Sequence, residues 1–369
     1  MDAGEAVRRG VLQADPHAQV LNIPVADGGE GTIDAIIGDN RDAIRQCEVI
    51  GPLGERIRSG YGVLPNRTAV IEMSMASGLL LVPEDKRNPL ATTTYGTGQL
   101  IKAALDAGYR KMLIGLGGSA TNDGGAGMAQ ALGASLRDEH ELELGYGGAA
   151  LARLHTIDCS GLDPRLKECE FTCAIDVNNL LCGTNGASAI YGPQKGANDE
   201  MIAVLDSALG RYAEKLKSQC GIDVSTLLGG GAAGGLGAGL YAFCGAKFKP
   251  GIEAVLDIVG FDAKLEGVDL VFTGEGRIDG QTLSGKVPIG VAQRVKAQLD
   301  APVLALVGSI GQGAQTVYDC GIDGVYAIAN GPCTLAESCE HVEDLLEQIA
   351  FALTRTLLVA RRHANSSLK

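Results

Sequence analysis

The sequence contains no tryptophan, and aromatic residues occupy only 4% of its 369 positions. That scarcity argues against the aromatic platforms on which sugars or single-stranded bases stack. Basic residues are also in deficit: 31 Lys and Arg stand against 44 Asp and Glu, a formal net charge of −13. No basic footprint exists to neutralise phosphates, so a nucleic-acid partner is not expected. An anionic substrate would need a local positive site or a bridging metal ion. The five histidines never fall in H-E-x-x-H spacing, and the ten cysteines include no C-x-x-C pair and no zinc-type spacing. They read as reduced thiols of a cytosolic (cytoplasmic) chain. The N-terminus MDAGEAVRRG lacks the apolar stretch of a signal peptide, so export is not expected.

Long hydrophobic runs are missing too, with one imitation. LLGGGAAGGLGAGLYAFCGA (227–246) is uncharged for twenty residues and carries G-x-x-x-G spacing at Gly231 and Gly235. Its Gly and Ala contribute little transfer free energy, and no second candidate span accompanies it. A glycine-rich loop entering a buried helix is the better reading, and no membrane partner is expected.

What is present is an ordinary globular composition, 46% hydrophobic and 20% charged, in a chain long enough for two domains. Short apolar runs alternate with helical segments, which predicts an α/β protein built on a largely parallel sheet. AQVLNIPVA (18–26) reads as a strand, GERIRSGYGVLP and NRTAVIEMS as a hairpin, and GTGQLIKAALDAG as a helix before the strand KMLIGLGG. VDLVFTGEG, PIGVAQRVKAQL and APVLALVGS form a strand–helix–strand unit of the doubly wound kind, where ligands bind beyond the carboxyl ends of strands. The opening DAGEAVRRGVLQA is helical in character, although such a domain normally begins with a strand.

Polar glycine loops are expected at three strand ends: 27–32, 117–125 and 274–286. In ADGGEGT, Asp27 and Glu30 flank glycines that allow close approach to a ligand; Asp27 capping a helix is the competing reading. In GLGGSATNDGGAG, the amides of Gly117, Gly118, Ser119, Thr121 and Asn122 precede a helix and could cradle phosphate or carboxylate. Tight helix–sheet packing would explain the same glycines. GQTLSGKV (280–287) nearly fits G-x-x-x-x-G-K-[ST], but Val287 replaces the magnesium-binding hydroxyl, so a P-loop is excluded. The surrounding TGEGRIDGQTLSGK still offers Glu275 and Asp279 as metal ligands or base, and Lys286 as a point charge for phosphate. A surface salt-bridge network is the alternative there. IDVNNLLCGTNGASAIYGPQKGA (175–197) adds Asp176, Asn178, Asn179 and Lys195.

PVADGGEGT, GGSATNDGGAGM, the DVNN…GTNGA…YGPQKGA run, GAAGGLGAGL and TGEGRIDGQTLSGKVPIGVA occur together in this order. In this the chain resembles the bacterial glycerate kinases of the type I family, over essentially its whole length. The resemblance implies ATP-dependent phosphorylation of D-glycerate, usually to 2-phosphoglycerate, with Mg2+. It also implies a discontinuous Rossmann- or flavodoxin-like domain (1–45 and 262–369), a second α/β domain inserted in it (46–261), and an active site in the cleft between them. On that basis Asp27 is the candidate for orienting or deprotonating the glycerate hydroxyl, with Asp123 or Asp176 as alternatives. Gly117–Asn122 would contact phosphate or carboxylate, Lys286 and Lys195 would supply positive charge, and Glu275 or Asp279 would hold Mg2+.

Two departures carry expectations. Relatives of this type begin with a strand and turn resembling I-A-P-D-S-F-K-G, whose Asp, Ser and Lys would line the site, so residue 1 is expected to lie downstream of a missing strand: either the start codon is misassigned or the chain is a truncated form whose activity would be impaired. Ile175 and Leu180 replace a Cys and a Pro, which is expected to alter turn rigidity and not chemistry. A non-catalytic binder of phosphorylated metabolites and a kinase of another small hydroxy acid remain alternatives, and homo-oligomerisation stays open.

Overall fold

The computed structural model describes residues 3–38, 40–283 and 286–367. The chain forms a mixed α/β structure of two compact units: Ala26–Ile258, and Met1–Val25 together with Val259–Lys369.

The larger unit is organised by a six-stranded sheet. Its strands in chain order are β1 (Ile44–Ile50), β2 (Arg56–Val63), β3 (Thr68–Glu72), β4 (Lys111–Gly115), β7 (Glu170–Ala174) and β8 (Lys247–Lys249). The short β5 (Ser135–Arg137) and β6 (Thr156–Asp158) pair separately. The order across the main sheet is β1-β2-β3-β4-β7-β8, antiparallel from β1 to β3 and parallel from β3 to β8. Every residue of TAVIE in β3 is buried, as are the last four of KMLIG in β4, which accounts for apolar runs without alternation. Ile71, Leu113 and Ile114 are among the fully buried side chains, each contributing about 1.5–3 kcal/mol relative to exposure. The helices Tyr95–Asp106, Ala126–Ala131, Asp199–Lys215 and Ala232–Cys244 close the core around these strands.

The smaller unit holds a parallel three-stranded sheet of β9 (Val271–Ile278), β10 (Val303–Ile310) and β11 (Gly324–Ala327), in the order β11-β10-β9. The helix Val287–Lys296 links β9 to β10, the crossover expected from sequence. The first helix, Ala3–Ala14, packs on the long helix Val342–Ser367. A Cβ at Gly10 would come within 2.2 Å of the Glu347 carbonyl oxygen, and Arg9 pairs with Glu347 at 2.7 Å.

One expectation needs correction, and the reading of 227–246 as a loop entering a buried helix holds. Residues 18–26 form no strand: they run half-exposed without ladder partners among the described residues. Apolar spacing alone predicted pairing there, but pairing needs a neighbouring strand with free hydrogen-bonding groups. The 227–246 stretch holds the helix Ala232–Cys244, almost wholly buried, and no helix among the described residues is long and apolar enough to cross a membrane.

Candidate active site

Each unit carries a cluster of polar side chains at the carboxyl ends of its parallel strands. In the larger unit, β3, β4 and β7 end side by side at Glu72, Gly115 and Ala174. The loop 27–31 lies across these ends. A Cβ at Gly115 would sit 2.6 Å from the Gly28 carbonyl oxygen, and one at Gly117 would sit 3.2 Å from the Gly29 Cα.

Glu72 fastens that loop. Its carboxylate accepts the Gly31 N–H at 3.0 Å and the Ile33 N–H at 2.5 Å. Burial raises its pKa, and the two backbone donors work against that rise. Nothing in the sequence singled out Glu72, because it closes an apolar run and binds backbone some forty positions earlier, which side-chain patterns do not reveal. Glu72→Gln leaves one of these buried donors facing an NH2 group, and the expected cost is about 1–3 kcal/mol, readable by urea denaturation. The pH dependence gives a second readout. A buried carboxyl with a raised folded pKa contributes stability fully below its free value of 4.5 and loses it as pH rises through the folded pKa. The Gln variant lacks that downward slope; an unchanged slope would overturn the assignment.

Asp27 and Asp176 flank Gly251. The Gly251 N–H donates to Asp176 Oδ1 at 2.9 Å, and a Cβ at Gly251 would lie 1.5 Å from the Asp27 carbonyl oxygen and 3.1 Å from Asp176 Oδ2. Only glycine permits this approach. Asp27 is exposed and accepts the Gly29 N–H at 3.1 Å. Asp176 is exposed as well. Its pKa is raised by desolvation and further by the Asp27 charge, against the Gly251 hydrogen bond.

Gly117 and Gly118 form the accessible edge of GLGGSATNDGGAG. Among the described residues, no hydrogen-bond acceptor serves the amides of Gly117, Gly118 or Ser119, although the Gly118 carbonyl accepts from Leu79 N at 2.7 Å. The Glu30 carboxylate lies close by, 3.0 Å from where a Gly118 Cβ would be.

The rest of the segment turns inward. Ser119, Thr121, Asn122 and Asp123 are all buried. Asp123 accepts from Thr94 N and Oγ1, both at 2.9 Å, and from Gly125 N at 3.1 Å and Gly127 N at 3.3 Å. It thereby occupies the start of the helix Ala126–Ala131, where sequence reasoning expected open amides. Burial raises its pKa against these four donors. Lys195 is enclosed as well, and its Nζ donates to the Thr121 carbonyl at 2.7 Å. Desolvation pushes its pKa down to about 7, with the Asp123 charge opposing. On another side, Ala233, Gly234 and Gly235 all take left-handed backbone angles, and a Cβ at Gly234 would sit 1.9 Å from the Thr121 oxygen.

In the smaller unit, Glu275 near the end of β9 accepts Thr282 Oγ1 at 2.7 Å and faces Lys286 Nζ at 3.8 Å. Thr282 Oγ1 also accepts the Asp279 N–H at 3.1 Å, and Asp279 pairs with Arg277 at 3.1 Å. Of the GQTLSGKV segment, Ser284 and Gly285 lie outside the described residues. Sequence reasoning passed over Arg277 and Thr282, although both stand inside the motif that supplied Glu275, Asp279 and Lys286.

Asp27 and Asp176 offer candidate bases in the unit whose Gly117 and Gly118 amides no described residue accepts, and the cluster on β9 mixes carboxylates with cations, a combination that suits phosphate. The profile of the Glycerate kinase family matches residues 1–358. The chain belongs to the glycerate kinase family. Glycerate kinase of Bacillus subtilis (strain 168) is 47% identical over 362 residues, covering 98% of this chain and 94% of that protein. Glycerate 2-kinase of Escherichia coli (strain K12) is 47% identical over 364 residues, covering 98% and 95% respectively. A crystal structure assigned as glycerate kinase 2 from Salmonella typhimurium LT2 matches with a TM-score of 0.88 at 47% identity, covering 98% of this chain and 94% of that one. The likeness therefore extends over both units of this glycerate kinase family member.

Proposed function

We propose that this chain transfers the γ-phosphoryl group of ATP to the 2-hydroxyl of D-glycerate, giving 2-phosphoglycerate and ADP. Membership of the glycerate kinase family carries the reaction class, an ATP-dependent kinase acting on glycerate. The site assignment rests on one observation, the Asp27 main chain and the Asp176 carboxyl meeting at Gly251, in the unit whose Gly117 and Gly118 amides find no acceptor among the described residues.

In this reading the accessible Asp27 side chain takes the proton of the attacking hydroxyl. The new O–P bond forms as the bond between the γ-phosphorus and the β,γ-bridging oxygen breaks, and that oxygen leaves with ADP. Asp176 orients the same substrate, and the Gly117 and Gly118 amides receive an anionic oxygen. Lys286 and Arg277 supply positive charge for phosphate. Carboxylates are the hard oxygen donors that Mg2+ prefers, and one or two of them with phosphate oxygens complete its usual shell. No group of three or more metal-binding side chains occurs among the described residues, so Glu275 and Asp279 would hold the ion together with the nucleotide. Bound there, it would neutralise phosphate charge. We assign the Rossmann- or flavodoxin-like role to the unit that contains β9–β11.

A coupled ADP-release assay with D-glycerate tests the reading, with phosphorus NMR to identify the product. Nucleotide binding without glycerate-dependent ADP release would sink it, and 3-phosphoglycerate as product would overturn the choice of hydroxyl.

A further inference from the structure

We propose that Lys195 is a positioning residue, whose enclosed ammonium holds the Thr121 carbonyl and so sets the course of the 117–122 loop without touching either substrate. The inference rests on that loop being a ligand-facing wall.

Lys195 is 1% exposed, and an ammonium is among the costliest groups to enclose. The one hydrogen bond its Nζ makes to a described residue goes to the Thr121 backbone oxygen, 74 positions earlier. The side chains of the loop provide little of their own anchorage. Thr121 Oγ1 and Asn122 Oδ1 are buried without a hydrogen-bond partner among the described residues, and Asn122 is tied only through its Nδ2 to Ser188 Oγ at 2.9 Å. Asp123, the carboxylate whose charge favours the Lys195 ammonium, already accepts four donors, and Nζ bonds to the Thr121 carbonyl. The lysine itself stands on a fixed base. It ends the tight turn Pro193–Lys195, its N–H donates to the Gly192 carbonyl at 3.0 Å, and the turn leads directly into the helix Asp199–Lys215. Gly234 blocks retreat of the Thr121 carbonyl on a further side. A lysine meant for a phosphate would present its Nζ to solvent; this one spends it on main chain.

Two experiments on the full chain test the proposal. Lys195→Met keeps most of the volume and removes the donor. Hydrogen exchange of the 117–125 amides is expected to quicken roughly tenfold while β3 and β4 stay protected. The fall in kcat/KM is expected to be on the order of 100-fold, with partial recovery of both in Lys195→Gln, which restores a donor. A loosened loop with unchanged kinetics would leave the strut standing and remove the loop from the site. Lost activity with an unloosened loop, or no change in either, would overturn the positioning role. The second experiment needs no variant. Amine acylation of the native protein is expected to spare Lys195 equally with and without ATP and glycerate, while Lys286 reacts. Reaction of Lys195 in the free protein that ATP prevents would show direct phosphate contact and overturn the proposal, even if neither variant folds.

Discussion

Asp27→Asn is expected to lower kcat by roughly 10²–10⁴-fold, the usual span for loss of a general base. The asparagine side chain keeps an acceptor for the Gly29 N–H, so the loop that carries it has no reason to move. The residue is exposed, so its replacement leaves the core untouched. KM for glycerate should therefore change little, and circular dichroism and the thermal midpoint should match the parent protein. Turnover near the parent value in such a folded variant would remove Asp27 from the chemistry. A fall confined to KM would make it a binding group.

Gly251→Ala is expected to be nearly as damaging to activity, from a single methyl group. The added carbon would lie 1.5 Å from the Asp27 carbonyl oxygen and 2.5 Å from its carbon, both main-chain atoms that cannot swing away. Either the 27–31 loop or the start of the helix Gly251–Ile258 must shift. Overpacking of this kind costs about 1–3 kcal/mol, and a displacement near 1 Å of the reacting groups costs on the order of 100-fold in rate. Asp176 would lose alignment in the same movement, because its hydrogen bond comes from the Gly251 N–H. Gly210→Ala is the control: nothing beyond its chain neighbours and its own helix backbone lies within 4 Å of its missing Cβ, and it sits inside the helix Asp199–Lys215. That variant should keep full activity and gain about 0.5–1 kcal/mol. Equal kinetics for the two alanine variants would refute the crowding at Gly251.

Much of the fold could be read from local pattern, and the misses share a cause. β2 with β3, and β9 with β10 across the helix Val287–Lys296, announce themselves as apolar runs between turn residues. Residues 18–26 carry a similar pattern yet pair with nothing described, because a ladder is a property of two segments. The motif loops brought Asp27, Asp176, Gly117 and Gly118 into one cluster, and Glu275, Asp279 and Lys286 into another. Burial was not legible. YGPQKGA looks like a surface turn, but its lysine is enclosed, and in GLGGSATNDGGAG the buried residues are as polar as the accessible ones. Glu72 escaped notice because its partners are N–H groups, which every residue but proline carries.

The enclosure of the Thr121 carbonyl by Lys195 and Gly234 also fixes an order of events during folding. Both contacts come from chain made well after the loop itself, and each closes a longer stretch of chain than the pairing of β3 with β4, so they are expected to form later. The sheet can therefore assemble while the loop is still unsettled, and competence to bind arrives as a late step of maturation. Pulse-labelled refolding should find the β3 and β4 amides protected before that of Gly124, which bonds to the Gly234 carbonyl; simultaneous protection would contradict this sequence. A nascent chain ending before residue 195 would hold β3, β4 and β7 but neither of the contacts that set the wall of the site.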